Sequence, residues 1–77
     1  MSSNLSCELL SNGLYRIFDY ASKMSGLYQV RLYTGGAWQG QIRDVRCKGG
    51  FDFGEDARAM VRRNKAWLMR YEASHKA

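Results

Sequence analysis

Apolar and polar residues alternate with a period of two through the middle of the chain and recur at three- and four-residue steps towards its C-terminus. That change of period predicts strands followed by a helix. The run from Leu14 to Tyr20 is aromatic and β-branched with rough alternation, which predicts a first strand, and Ser22–Gly26 follows as a turn. From Leu27 to Tyr33 the alternation is cleaner, with Tyr28, Val30 and Leu32 on one face and Gln29, Arg31 and Tyr33 on the other. A third strand is expected over Ala37–Val45, with Trp38, Gly40 and Ile42 alternating against Gln39, Gln41 and Arg43. Matching the apolar faces requires a three-residue loop, Thr34-Gly35-Gly36, which sets Leu32 opposite Trp38 and Tyr28 opposite Ile42.

Residues 46–51 read as a connection, and Asp52 with Glu55 has capping-box spacing, so a helix is expected to begin at about Phe53. Within it Phe53, Ala57, Met60, Val61, Asn64, Trp67, Leu68 and Tyr71 fall on one side, an apolar stripe of roughly 120° suited to lying on a sheet. At the other end Leu5, Leu9 and Leu10 have helix-like spacing within a Ser- and Asn-rich stretch, so residues 1–12 are expected to form either a mobile arm or a short helix ending at Asn12-Gly13. The expected architecture is α+β, a three-stranded antiparallel meander packed against one long C-terminal amphipathic helix. A single domain over 13–72 and a frayed tail over 73–77 complete the division.

Composition narrows the class. At 77 residues the chain is near the lower limit for a self-sufficient core, while 45% apolar and 25% charged residues match an ordinary globular protein. The first residues lack a basic stretch before an apolar run, and nowhere do eighteen apolar residues follow one another. Neither a signal peptide nor a membrane span is expected, and the cytoplasm is the expected location. Cys7 and Cys47 are then expected to be free thiols.

Charge supplies the pointer to a partner. The formal net charge is +5, and all of it lies in residues 57–77, where Arg58, Arg62, Arg63, Lys65, Arg70 and Lys76 face only Glu72. Arg58, Arg62 and Lys65 form a ridge on the expected helix, with Arg63 and Arg70 along one flank, so like charges stack where opposite charges would support the helix. Such a face attracts polyanions, and nucleic acid is the first partner expected. The polar sheet face adds Arg31, Gln39, Gln41 and Arg43, side-chain types that read base edges, and Tyr33, which can stack on an unpaired base.

No enzyme, metal centre or cofactor is expected. The single histidine, His75, lies at the chain end, and the glycine-rich run from Gly49 to Gly54 carries acidic residues where a phosphate would sit.

Read as three strands and a helix, Gly26–Tyr71 resembles the small three-stranded-sheet DNA-binding domains of phage-type integrases and plant ethylene-response factors. The likeness rests on Leu27-Tyr-Gln-Val-Arg-Leu-Tyr33 as a middle strand and Phe51-Asp-Phe-Gly-Glu-Asp-Ala57 as the approach to the packing helix. The resemblance implies that the exposed sheet face lies in the major groove, through Arg31, Gln39, Gln41 and Arg43. In style the chain is also similar to small phage accessory proteins, such as anti-CRISPR and polymerase-inhibitor proteins. That likeness implies the alternative partner, an acidic surface of a nucleic-acid-processing protein. A homodimer is compatible with so small a core.

Overall fold

The computed structural model describes residues 4–11 and 13–64. They form a four-stranded antiparallel meander, β1 (Leu5–Ser11), β2 (Leu14–Asp19), β3 (Met24–Leu32) and β4 (Ile42–Gly50), followed by one helix, α1 (Glu55–Arg63). The spatial order is the chain order, so β1 and β4 are the outer strands of the sheet.

Three expectations are corrected. The expected three-stranded sheet has a fourth strand, because the N-terminal segment is neither arm nor helix but β1. Its pairing with β2 runs from Leu5 opposite Asp19 to Ser11 opposite Leu14. That register turns Leu5, Cys7 and Leu9 towards the core cluster, while Gly13 takes a left-handed φ of 75° in the connecting turn. The physical reason is burial: a strand here covers Tyr15 and Ile17, both fully buried on β2.

Next, the β3–β4 hairpin is longer and differently registered than expected. Leu32 lies opposite Ile42 rather than Trp38, and Tyr28 opposite Cys47 rather than Ile42. Gly36–Trp38 form a turn of 3-10 helix, and Gly40 has φ 86°, so the chain between 33 and 41 is a loop and no strand starts at Ala37. The register of β4 slips twice, leaving Arg43 and Lys48 without partners on β3. The slip at Arg43 changes which side of the strand is apolar, and so Ile42, Val45 and Cys47 all meet the core despite the three-residue step from Ile42 to Val45. Residues 46–50, expected as a connection, complete the strand.

Finally, the helix is short. It opens at Glu55 after Gly54, and Asp52 makes no cap bond to it. Instead Asp52 accepts from the Gly54 N–H at 2.8 Å. At the other end Asn64 has extended torsions, φ −86° and ψ 114°, and its side-chain and main-chain oxygens accept from the Tyr15 hydroxyl at 3.3 and 3.4 Å. This ties the end of α1 to β2. Lys65, Trp67, Leu68, Arg70 and Tyr71, expected to extend the helix, lie outside the described residues.

One side of the sheet and the helix enclose the core. Tyr15, Ile17, Tyr28, Val30 and Val45 from the strands meet Ala57 and Val61 of α1, with Phe53 and Met60 packed at the margin. The step from β4 to α1 crosses β3 at close range. Gly26 faces Gly50, the Phe51 N–H donates to the Ser25 carbonyl at 2.9 Å, and a Cβ on Gly26 would overlap the Phe51 carbonyl. Both cysteines are free and half-buried, and burial pushes the Cys7 thiol above its ordinary pKa.

Candidate nucleic-acid interface

The arginines divide by how their guanidinium groups are engaged. Arg58 is held on every side. It donates to both carboxylate oxygens of Asp52 at 3.1 and 3.2 Å and to the Val45 carbonyl at 3.0 Å, and it lies 5.7 Å from the centre of the Tyr28 ring. The Tyr28 hydroxyl in turn donates to Asp52 at 2.9 Å and accepts from the Phe53 N–H at 2.5 Å. Arg58, Asp52 and Tyr28 therefore fasten the start of α1 to β3 and β4.

Protonation states follow from this arrangement. The Arg58 guanidinium, the Gly54 N–H and the Tyr28 hydroxyl hold Asp52 down at about 2. Burial, reinforced by Asp52 and opposed by the Phe53 N–H, pushes Tyr28 up to about 12. The partnership with Asp52 also raises Arg58.

Arg62 pairs with Glu55 at 2.6 Å along the helix, and Arg16 pairs with Glu8 across β1 and β2. Arg63 is exposed in the last turn of α1 and has no acidic partner among the described residues. Lys65 and Arg70 lie outside the described residues.

The sheet cations are engaged differently. Arg31 on β3 and Arg46 on β4 stand on the side of the sheet away from α1, bracketing Asp44. Their nitrogens lie 3.9 and 3.7 Å from its oxygens, beyond hydrogen-bond reach, and Asp44 Oδ1 has no hydrogen-bond partner although it is buried. Among the described residues the donors of both guanidiniums are uncommitted. Arg43 and Lys48 stand exposed at the two bulges of β4. Of these four cations along β3 and β4, two bracket one carboxylate and two have no acidic partner among the described residues. Cations and bulges on an outer strand also discourage pairing with another chain, which supplies a purely structural use for them.

Beside this group lies the loop of residues 33–41. Its frame is tied by Tyr33 N–H to Gln41 O at 3.0 Å, Gly40 N–H to Tyr33 O at 2.9 Å and Gln41 N–H to Trp38 O at 2.9 Å. Tyr33, Gln39 and Gln41, expected on a sheet face, are exposed loop residues, while Arg31 and Arg43 are on strands. The Tyr33 and Trp38 rings are 6.0 Å apart at 40°. Trp38, expected on a strand opposite Leu32, is in the loop, and Arg46 and Lys48, expected in a connection, are on β4. The usable signal was Val45, Cys47 and their charged neighbours, which alternate as a strand should.

A second surface feature is a shallow depression lined by Ser6, Glu8, Arg16, Phe18, Tyr20 and Ser25. Within it the Glu8 carboxylate is taken up by Arg16. Among the described residues no group of three His, Cys, Asp or Glu is placed to hold a metal ion, and no helix is long and apolar enough to cross a membrane. Comparison of the chain with family models, curated proteins and solved structures gives no match.

Proposed function

We propose that this chain is a nucleic-acid-binding module that contacts phosphate through Arg31, Arg43, Arg46 and Lys48. The observation that carries the reading is the uncommitted state of these cations: Arg31 and Arg46 bracket Asp44 at distances that leave their donors open, and Arg43 and Lys48 have no acidic partner among the described residues. Phosphate oxygens are the ligands that charged, unpaired guanidinium groups take most readily, and a row of such groups follows a polyanionic backbone. The helix arginines serve this reading less well, since Arg58 and Arg62 already have carboxylate partners.

Salt dependence tests it. Binding to labelled oligonucleotides is expected to weaken log-linearly with salt, and removing each contacting cation lowers the slope by about one. Arg43→Glu/Arg46→Glu is expected to abolish binding at about 0.15 M salt, near the physiological level, while Arg62→Glu leaves most of it. The alternative, docking on an acidic surface of a nucleic-acid-processing protein, would use the same cations. It predicts no oligonucleotide binding at that salt, and affinity concentrated in a few hot-spot residues.

A further inference from the structure

We infer that the loop carrying Tyr33 and Trp38 is a stacking platform for unpaired bases, which makes the nucleic acid single-stranded; this rests on the phosphate-binding reading above. Trp38 is 60% exposed and Tyr33 39%, and neither belongs to the core cluster. Their rings touch only at a tilt, so each keeps a face open to a ligand. The loop is not slack: its four backbone hydrogen bonds, the fourth from Gln39 N–H to Gly36 O at 3.3 Å, hold the main chain that carries both rings. A backbone already held has less conformational freedom to lose on binding.

What the rings can take follows from where they stand. The loop joins β3 directly to β4, so it lies at the end of the cationic row, next to Arg43 and two residues beyond Arg31. A strand whose phosphates follow Lys48, Arg46 and Arg43 would bring its bases to Trp38. Stacking on an indole needs a free base face, which a duplex offers only after unstacking at a cost of a few kcal/mol. Gln39 and Gln41, exposed in the same loop, carry the paired donor and acceptor that meet the edge of a splayed base.

The test is a titration of the full chain with a single-stranded oligonucleotide and with the duplex of the same sequence, at fixed salt, using the wild type, Trp38→Ala, Trp38→Phe and Arg43→Glu/Arg46→Glu. The inference expects tighter binding to the single strand. Trp38→Ala should weaken that binding roughly five- to hundredfold, leave duplex binding unchanged and leave thermal stability unchanged. Trp38→Phe should retain most of the affinity, and the double charge reversal should abolish both modes. Equal affinity for the two forms, or single-strand binding indifferent to Trp38→Ala while the charge reversal still abolishes it, would overturn the platform and leave the phosphate reading standing. Failure of the wild type to bind either form would overturn both.

Discussion

Arg58 on the helix and Arg46 on the sheet carry the same charge and do opposite things. Arg58 is fixed by Asp52, the Val45 carbonyl and the Tyr28 ring, and its side chain is only 24% exposed. Arg46 is 64% exposed and stands 3.7 Å from a carboxylate it does not hydrogen-bond. A guanidinium group saturated by its own chain contributes to stability and has little left for a ligand. One merely bracketed by charge contributes little to stability and keeps its donors. Local charge density in the sequence does not report availability: among the described residues Arg58 and Arg62 of the basic segment are already paired, while Arg31 and Arg46 keep their donors.

Substitutions sharpen the contrast, beginning with the largest expected effect. Arg58→Ala removes two hydrogen bonds to Asp52, one to Val45 and the ring contact. It should destabilise the fold by about 1–3 kcal/mol, lowering Tm by roughly 4–8 °C for each kcal/mol, as differential scanning fluorimetry would read. Tyr28→Phe leaves the ring but strips the hydroxyl that bridges Asp52 and the Phe53 N–H, and about 1–2 kcal/mol is expected in urea unfolding. If either substitution were neutral, the clasp would not be holding α1 to the sheet.

The same clasp has a pH signature. Asp52 is held near 2, below its ordinary 3.8, so its contribution is complete above about 4 and is lost as pH falls towards 2. Tyr28 is raised from 10 to about 12, so its contribution is complete below 10 and is lost as pH rises through 12. Denaturation midpoints measured across both windows should fall at each end, and Asp52→Asn should flatten the acid limb. An acid limb unchanged by Asp52→Asn would place the sensitivity on another carboxylate.

The smallest stability effects belong to the exposed groups. Arg62→Ala and Arg46→Ala should each alter stability by no more than about 0.5 kcal/mol, yet only Arg46→Ala should weaken oligonucleotide binding. Equal losses of binding from the two would erase the distinction between the regions.

Part of this was legible in the chain. The strand expected over Leu14–Tyr20 is β2 almost to the residue, and that over Leu27–Tyr33 lies largely within β3, because the first is rich in aromatic and β-branched residues and the second alternates cleanly. The first strand was missed although Leu5, Cys7 and Leu9 alternate with Ser6 and Glu8, and Asn12-Gly13 is a strong hairpin signal. Three leucines at helix-like spacing masked it, since a short apolar run fits both periods. The last strand was misplaced for another reason: bulges at Arg43 and Lys48 reset the alternation, and no spacing rule anticipates where a strand will absorb an extra residue. The helix start was off by two residues because Asp52, which has the spacing of a cap, is drawn to Arg58 and Tyr28.

That last displacement also bears on the candidate interface. Helical spacing shows which arginines share a face, but it does not show that a carboxylate before the helix will reach Arg58, or that Asp44 will stop short of Arg31 and Arg46. Those distances are set by tertiary packing.

The most direct test of the division between paired and available cations is the salt slope of oligonucleotide binding measured side by side for the wild type, Arg43→Ala/Arg46→Ala and Arg62→Ala. The account predicts that the sheet pair lowers the slope by about two and Arg62→Ala by well under one. A slope lowered by Arg62→Ala and untouched by the sheet pair would contradict it.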